Sequence, residues 1–130
     1  MSLKQKGINT ERQLVHMFWN TGRWAAHRIA GSGSSKYPSP DIIASNNLRR
    51  VAIEVKTTKS SSVYISKQEI EALVRFSSMF GAEPWVAVKF DRDDTYFMTL
   101  EDMDETCSSF SVSREKAKMK GLLFDELVSG

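Results

Sequence analysis

The 130-residue chain has one cysteine, three prolines, two histidines and no long uninterrupted apolar run. Each scarcity excludes something. A lone Cys107 cannot close a disulfide within the chain, and neither it nor His16 and His27 has the spacing of a zinc site. No stretch approaches the roughly 20 apolar residues that a bilayer-spanning helix needs. The start carries Lys4 and Lys6 on a polar, interrupted segment, unlike a signal peptide. The expectation is a cytoplasmic protein with no membrane partner, forming one domain with a single core.

Acids are also scarce, but only in the first half. Up to Lys59 there are ten Lys and Arg but three acids, Glu11, Asp41 and Glu54; from Ser60 onward there are eight against thirteen. The net charge of +2 averages over this division. Cations gathered around three isolated carboxylates suggest a polyanion held over a metal. The plain alternative is a solvated basic face.

Two of those acids sit in short apolar runs, Pro40-Asp41-Ile42-Ile43-Ala44 and Ile53-Glu54-Val55-Lys56. Asn46-Asn47 lies between them, so Asp41–Ser45 and Leu48–Thr58 read as a β-hairpin. The hairpin brings Asp41 and Glu54 together across adjacent strands. Alternation along the second strand points Glu54 and Lys56 one way, Ile53 and Val55 the other. Carboxylates buried at a sheet edge are costly unless a cation or donor compensates them. A divalent metal on Asp41 and Glu54 would do so, with Lys56 holding its water. A cross-face ion pair on an exposed strand is the bland reading of Glu-x-Lys.

The rest of the chain supports a frame for this pair. Residues from about Gly7 to Asn20 predict an amphipathic helix, capped at Asn9 or Thr10 and ended at Gly22, with Leu14, Val15, Phe18 and Trp19 facing the core. Glu11 falls in its first turn, where the dipole favours an acid. A strand at Trp24–Ala30 precedes a Gly/Ser loop, Gly31–Pro40, whose composition excludes regular structure. Val63-Tyr64-Ile65 reads as a strand. Ser66 with Glu69 forms a capping box for a helix to Phe80, with Ile70, Leu73, Val74 and Ser77 on one face. Pro84–Phe90 predicts a central strand, Thr95–Leu100 another, and Ser111–Ser113 an edge strand. Glu101–Glu105 reads as a solvated acidic turn, Arg114–Lys120 as exposed, and Leu122–Val128 as a docking tail. The order predicts an α/β fold, a mixed sheet flanked by helices.

Pro40-Asp41 with Glu54-Val55-Lys56 resembles the signature of PD-(D/E)xK nucleases. With Lys6-Gly7, Glu11-Arg12, Arg28, Ser32-Gly33-Ser34, Tyr64-Ile65, Phe76-Ser77, Phe80-Gly81 and Val88-Lys89-Phe90 in order, the chain to about Leu100 is similar to the archaeal Holliday junction resolvases of the Hjc type. The resemblance implies a restriction-endonuclease-like fold, a nuclease core over about residues 1–100 and an extension over 101–130. It also implies a homodimer that nicks four-way DNA junctions in pairs, in recombination and repair. Carried over, Glu11, Asp41, Glu54 and the Val55 carbonyl would hold Mg²⁺, with Mn²⁺ as a substitute. Ser32 and Lys56 would complete the catalytic set, with Ser34 and Ser35 close enough to compete for the serine's place. Arg12, Arg28, Ser34 and Lys36 would contact DNA, and Phe76 and Phe80 the second subunit. The tail from Leu122 would be a candidate contact for a sliding clamp. Two other readings stay open, a related nuclease acting on flap, nick or duplex DNA and a non-catalytic DNA-binding module.

Overall fold

A five-stranded mixed sheet frames the computed structural model, which describes residues 2–130. Strands β1 (Ala25–Arg28), β2 (Ile42–Ser45) and β3 (Arg50–Thr58) follow one another antiparallel. The chain then leaves the sheet through β4 (Ser62–Ser66) and helix α2 (Lys67–Phe80). It returns as β5 (Glu83–Phe90), parallel to β3, and β6 (Thr95–Met98), giving the order β1-β2-β3-β5-β6. A helix-containing crossover is what two parallel neighbours require.

The predicted central strand is thus one place off, for β3 lies in the middle and β5 beside it. β3 is apolar on both faces: Val51, Ile53 and Val55 join one hydrophobic cluster and Ala52 the other. Helix α1 (Leu3–Asn20) covers the first face through Leu14 and Phe18, and α4 (Phe124–Ser129) covers it through Phe124 and Leu127. The second face carries α2 through Ile70 and Leu73, and α3 (Arg114–Lys120) through Ala117. Val74, expected with them, is exposed.

Helix α1 starts four residues before its expected position. Ser2 caps it, its hydroxyl accepting from the Gln5 amide at 3.2 Å, and Gly7 is absorbed into the interior. A glycine there costs about 1 kcal/mol, less than the apolar stripe returns by burial. Glu11 is therefore mid-helix, and the dipole at the N-terminus does not explain its position. Helix α2 begins with the predicted capping box and ends at Gly81, whose φ of 77° suits a residue without Cβ.

A second sheet departs from expectation. β4 pairs with β8 (Ser109–Ser113), and β8 with the two-residue β7 (Asp104–Glu105). The predicted edge strand at Ser111–Ser113 is the middle of this sheet, and part of the acidic run forms its edge. Arg114–Lys120, expected as an exposed segment, is a helix with Ala117 buried. Among the described residues no helix is long and apolar enough to cross a membrane.

The tail docks on its own chain. Phe124 meets Phe18 edge-to-face at 5.0 Å, and Leu122 pairs with Phe97. Arg49, beside the β2–β3 turn, holds the tail from outside. It pairs with both Glu83 oxygens at 2.9 Å and donates to the Leu127 carbonyl at 2.7 Å. Replacing Arg49 by methionine should lower stability by about 1–3 kcal/mol and speed amide exchange across α4 while leaving β3 protected. Unchanged exchange at α4 would show that Arg49 does not hold the tail.

Candidate active site

The β2–β3 ladder ends where the Pro40-Asp41 motif begins. Ile42 opposes Ile53, and one residue further out the Asp41 amide donates to the Ile53 carbonyl at 3.0 Å. Beyond that β3 continues alone on this side, leaving its next outward amide without a strand partner. The Asp41 side chain takes that place, with Oδ2 accepting from the Val55 amide at 2.8 Å. A strand residue directs its N–H and C=O to the same side, so the Val55 carbonyl also faces the Asp41 side.

Ser32 Oγ donates to the other oxygen, Asp41 Oδ1, at 2.5 Å. The loop is more ordered than its composition predicts. Gly31, at φ 71°, turns the chain into a 3-10 turn over Ser32–Ser34 that aims Ser32 inward. Ser34 Oγ bonds back to the Gly31 carbonyl, and Ser35 Oγ accepts from the Tyr37 amide. Of the three serines, Ser32 is the one on the carboxylate.

Glu54 faces Asp41, as the hairpin predicted. Burial first, then the Asp41 charge and then the Glu69 charge push its pKa from 4.5 up to about 8, against the Lys56 charge. A cation bound between the two carboxylates would relieve that repulsion. Glu11 reaches the same end of the sheet from α1. Its pKa is raised by burial and by Asp41, against the Arg28 guanidinium, whose Nε donates to Glu11 Oε1 at 2.8 Å. Among the described residues no three Asp, Glu, His or Cys side chains already converge as a cage. The paired acids are Asp41 and Glu54, and Glu11 is held by Arg28. The pair suits a hard divalent cation, since every donor is oxygen and the two carboxylates crowd negative charge at one place.

Lys56 points to the same face as Glu54 but is engaged elsewhere. Its Nζ meets Glu69 Oε2, on α2, at 2.5 Å. Burial alone would raise the Glu69 pKa, yet the bonds from Lys56 and Ser66 hold it below the ordinary carboxylate range. In the sequence the only signal for Glu69 was a capping box. Glu69 and Ser66 border a cleft of about 650 Å³ between the serine loop and the start of α2, lined also by Ser32, Lys36, Tyr37 and Glu54. Arg12 lies exposed on α1, and exposed Lys36 stands 6.0 Å from the Tyr37 ring. Phe76 and Phe80 stack at 5.0 Å on the outer side of α2, beside Tyr37 and Met79.

Comparison with known proteins agrees with this geometry. The family model described as archaeal Holliday junction resolvase (Hjc) matches residues 2–130. The crossover junction endodeoxyribonuclease Hjc of Archaeoglobus fulgidus is 39% identical over 131 residues, covering 95% of this chain and 96% of its own. Its Sulfolobus acidocaldarius counterpart is 32% identical, covering 98% and 90%. The 1.6 Å structure of Archaeoglobus fulgidus Hjc, a Holliday junction resolvase from an archaeal hyperthermophile, matches with a TM-score of 0.85 and 37% identity. That alignment spans 93% of this chain and 97% of the other.

The Glu54 shift fixes the sign of a pH effect. A folded-state pKa above 4.5 means that the contribution of Glu54 is complete below about pH 4.5 and lost as pH rises through about 8. In chelator, Glu54→Gln should therefore melt progressively higher than the parent as pH rises across that window. Added divalent cation should shrink the gap, since it binds the ionised pair. A gap that stays constant with pH would contradict the buried-pair assignment.

Proposed function

The chain belongs to the archaeal Holliday junction resolvase family, and from that premise we infer the chemistry of its site. It is a crossover junction endodeoxyribonuclease that hydrolyses phosphodiester bonds in four-way junctions and, as a nuclease of this family, depends on a divalent metal. The observation that carries the reading is the Asp41–Glu54 pair, closed by Ser32 and the Val55 amide at the open end of β3.

Asp41, Glu54 and the Val55 carbonyl would hold Mg²⁺, for which Mn²⁺ can stand in, with Glu11 completing the set. Bound there, the ion would lower the pKa of a water and offset charge on the phosphoryl oxygens. The chain's own groups do the rest. Ser32 and the Val55 amide fix the Asp41 carboxylate before substrate arrives, so no reorganisation is left for the reaction step. Arg28 orients Glu11 and opposes the rise in its pKa that burial and Asp41 cause. Lys56 supplies a cation beside the carboxylates to orient the attacking water. Lys36 lines the cleft, and Ser34 on the serine loop and Arg12 beside Glu11 are exposed, all three available to phosphates; Arg28, bound to Glu11, serves DNA through that pairing.

Paired nicks need two sites, and a two-fold dimer supplies them. The stacked Phe76–Phe80 pair supports this, since it is continuous with Met79 (81% exposed) and Tyr37 (72% exposed). A clamp contact through the tail has less support, because Phe124 and Leu127 are buried. The reading locates the enzyme in the cytoplasm with the DNA it cuts.

Asp41→Asn or Glu54→Gln should reduce cleavage of a fixed four-way junction by about a hundredfold or more, with junction affinity retained. Cutting at the parental rate by either variant would remove the metal assignment. A linear duplex of the same arm sequence, with and without Mg²⁺, is the control; equal cutting of both substrates would discard junction specificity. Met79→Glu with Phe80→Glu should yield monomers by sedimentation and end paired nicking. A dimer that survives would place the interface elsewhere.

A further inference from the structure

Lys56 stands between two carboxylates. Glu54, two residues earlier on the same face of β3, is close enough for the Lys56 charge to lower its pKa, against the larger effect of burial. Glu69 approaches from α2 and takes the ammonium at 2.5 Å. A lysine beside a nucleophilic water is useful only if it does not collapse onto the carboxylates meant for the metal. Its side chain is long and its charge compact, so strand geometry alone does not hold it.

The hold on Glu69 is as specific as its hold on Lys56. While Oε2 faces the lysine, Oε1 lies 3.2 Å from the Ser66 hydroxyl and 3.4 Å from the Ser66 amide. The Ser66 hydroxyl in turn accepts from the Glu69 amide at 3.1 Å. Both carboxylate oxygens are thus committed, one to the first turn of α2 and one to the lysine. Glu69 and Ser66 also line the cleft that contains Glu54. As a stabilising contact the pair is worth little, since the Glu69 side chain is 38% exposed. Its value lies in position.

We propose that Glu69 is a positioning residue of the active site, anchoring Lys56 to α2 and keeping it off Glu54, so that the capping box doubles as catalytic support. This rests on the reading above that Lys56 serves catalysis.

Glu69→Gln is the informative variant, because glutamine preserves the reciprocal cap and removes the charge. Two measurements test it. In metal-free protein carrying Glu54→Gln, so that no second carboxylate can take the amine, acylation of Lys56 by an N-hydroxysuccinimide ester, read by peptide mass spectrometry, should be several-fold faster when Glu69→Gln is added. Equal labelling would show that the pair does not form in solution and would overturn the proposal. In single-turnover junction cleavage, Glu69→Gln should be about tenfold slower with unchanged junction affinity and thermal midpoint. In a Lys56→Ala background the same substitution should cost nothing further. An equal cost in both backgrounds, or faster cleavage by Glu69→Gln, would overturn it. Parental cleavage by Lys56→Ala alone would instead remove the reading on which the proposal rests.

Discussion

The structure depends on where β2 stops. Had the β2–β3 ladder continued two residues further, the Val55 amide would be an ordinary sheet donor, with no room for a side chain. Instead the ladder ends and a carboxylate replaces the missing strand. Asp41 satisfies the backbone of β3 and in doing so sits against Glu54, at a position where two negative charges repel strongly. One side chain thus completes the sheet and creates an electrostatic deficit. The surrounding groups answer it in layers, with Ser32 on Asp41, Arg28 on Glu11 and Lys56 beyond Glu54.

This arrangement accounts for the uneven charge of the chain. Among the cations of the first half, Arg12 and Lys36 are exposed, while Arg28, Arg49 and Lys56 are held by Glu11, Glu83 and Glu69. The acids of the second half do local work instead. Glu83 anchors Arg49, Glu105 meets Lys67 at 2.9 Å, and Asp104 meets Lys116 at 2.6 Å. The last two pairs tie β7 of the small sheet to α2 and α3.

What could be read from the sequence was what local spacing controls. A short Asn-containing turn fixes the register that opposes Asp41 to Glu54, and Ser66 with Glu69 three residues on fixes the start of α2. Both concern neighbours in the chain. The start of α1 is not legible in the sequence because Gly7 looks like a boundary, although Ser2 caps the helix and distant packing absorbs the glycine. The second sheet is not legible in the sequence because β4 finds β8 more than forty residues later, and nothing in Ser62–Ser66 names that partner. Likewise Ser32 could not be separated from Ser34 and Ser35 until the turn at Gly31 gave each hydroxyl a direction. Alternation along β3 places Lys56 on the face of Glu54 but not on Glu69, since it gives a face and not a partner.

The edge-to-face contact of Phe18 with Phe124 joins residues more than a hundred positions apart. Contacts of such separation are late and slow to close, because the intervening chain must first be brought together. The β2–β3 hairpin closes over a few residues and carries Asp41 and Glu54 with it. Glu11 travels on α1, whose seat under the sheet is finished only when α4 docks. Site assembly therefore follows chain order unevenly. The carboxylate pair forms with the hairpin, and the helix bringing the third acid settles only after the far end of the sequence has been made.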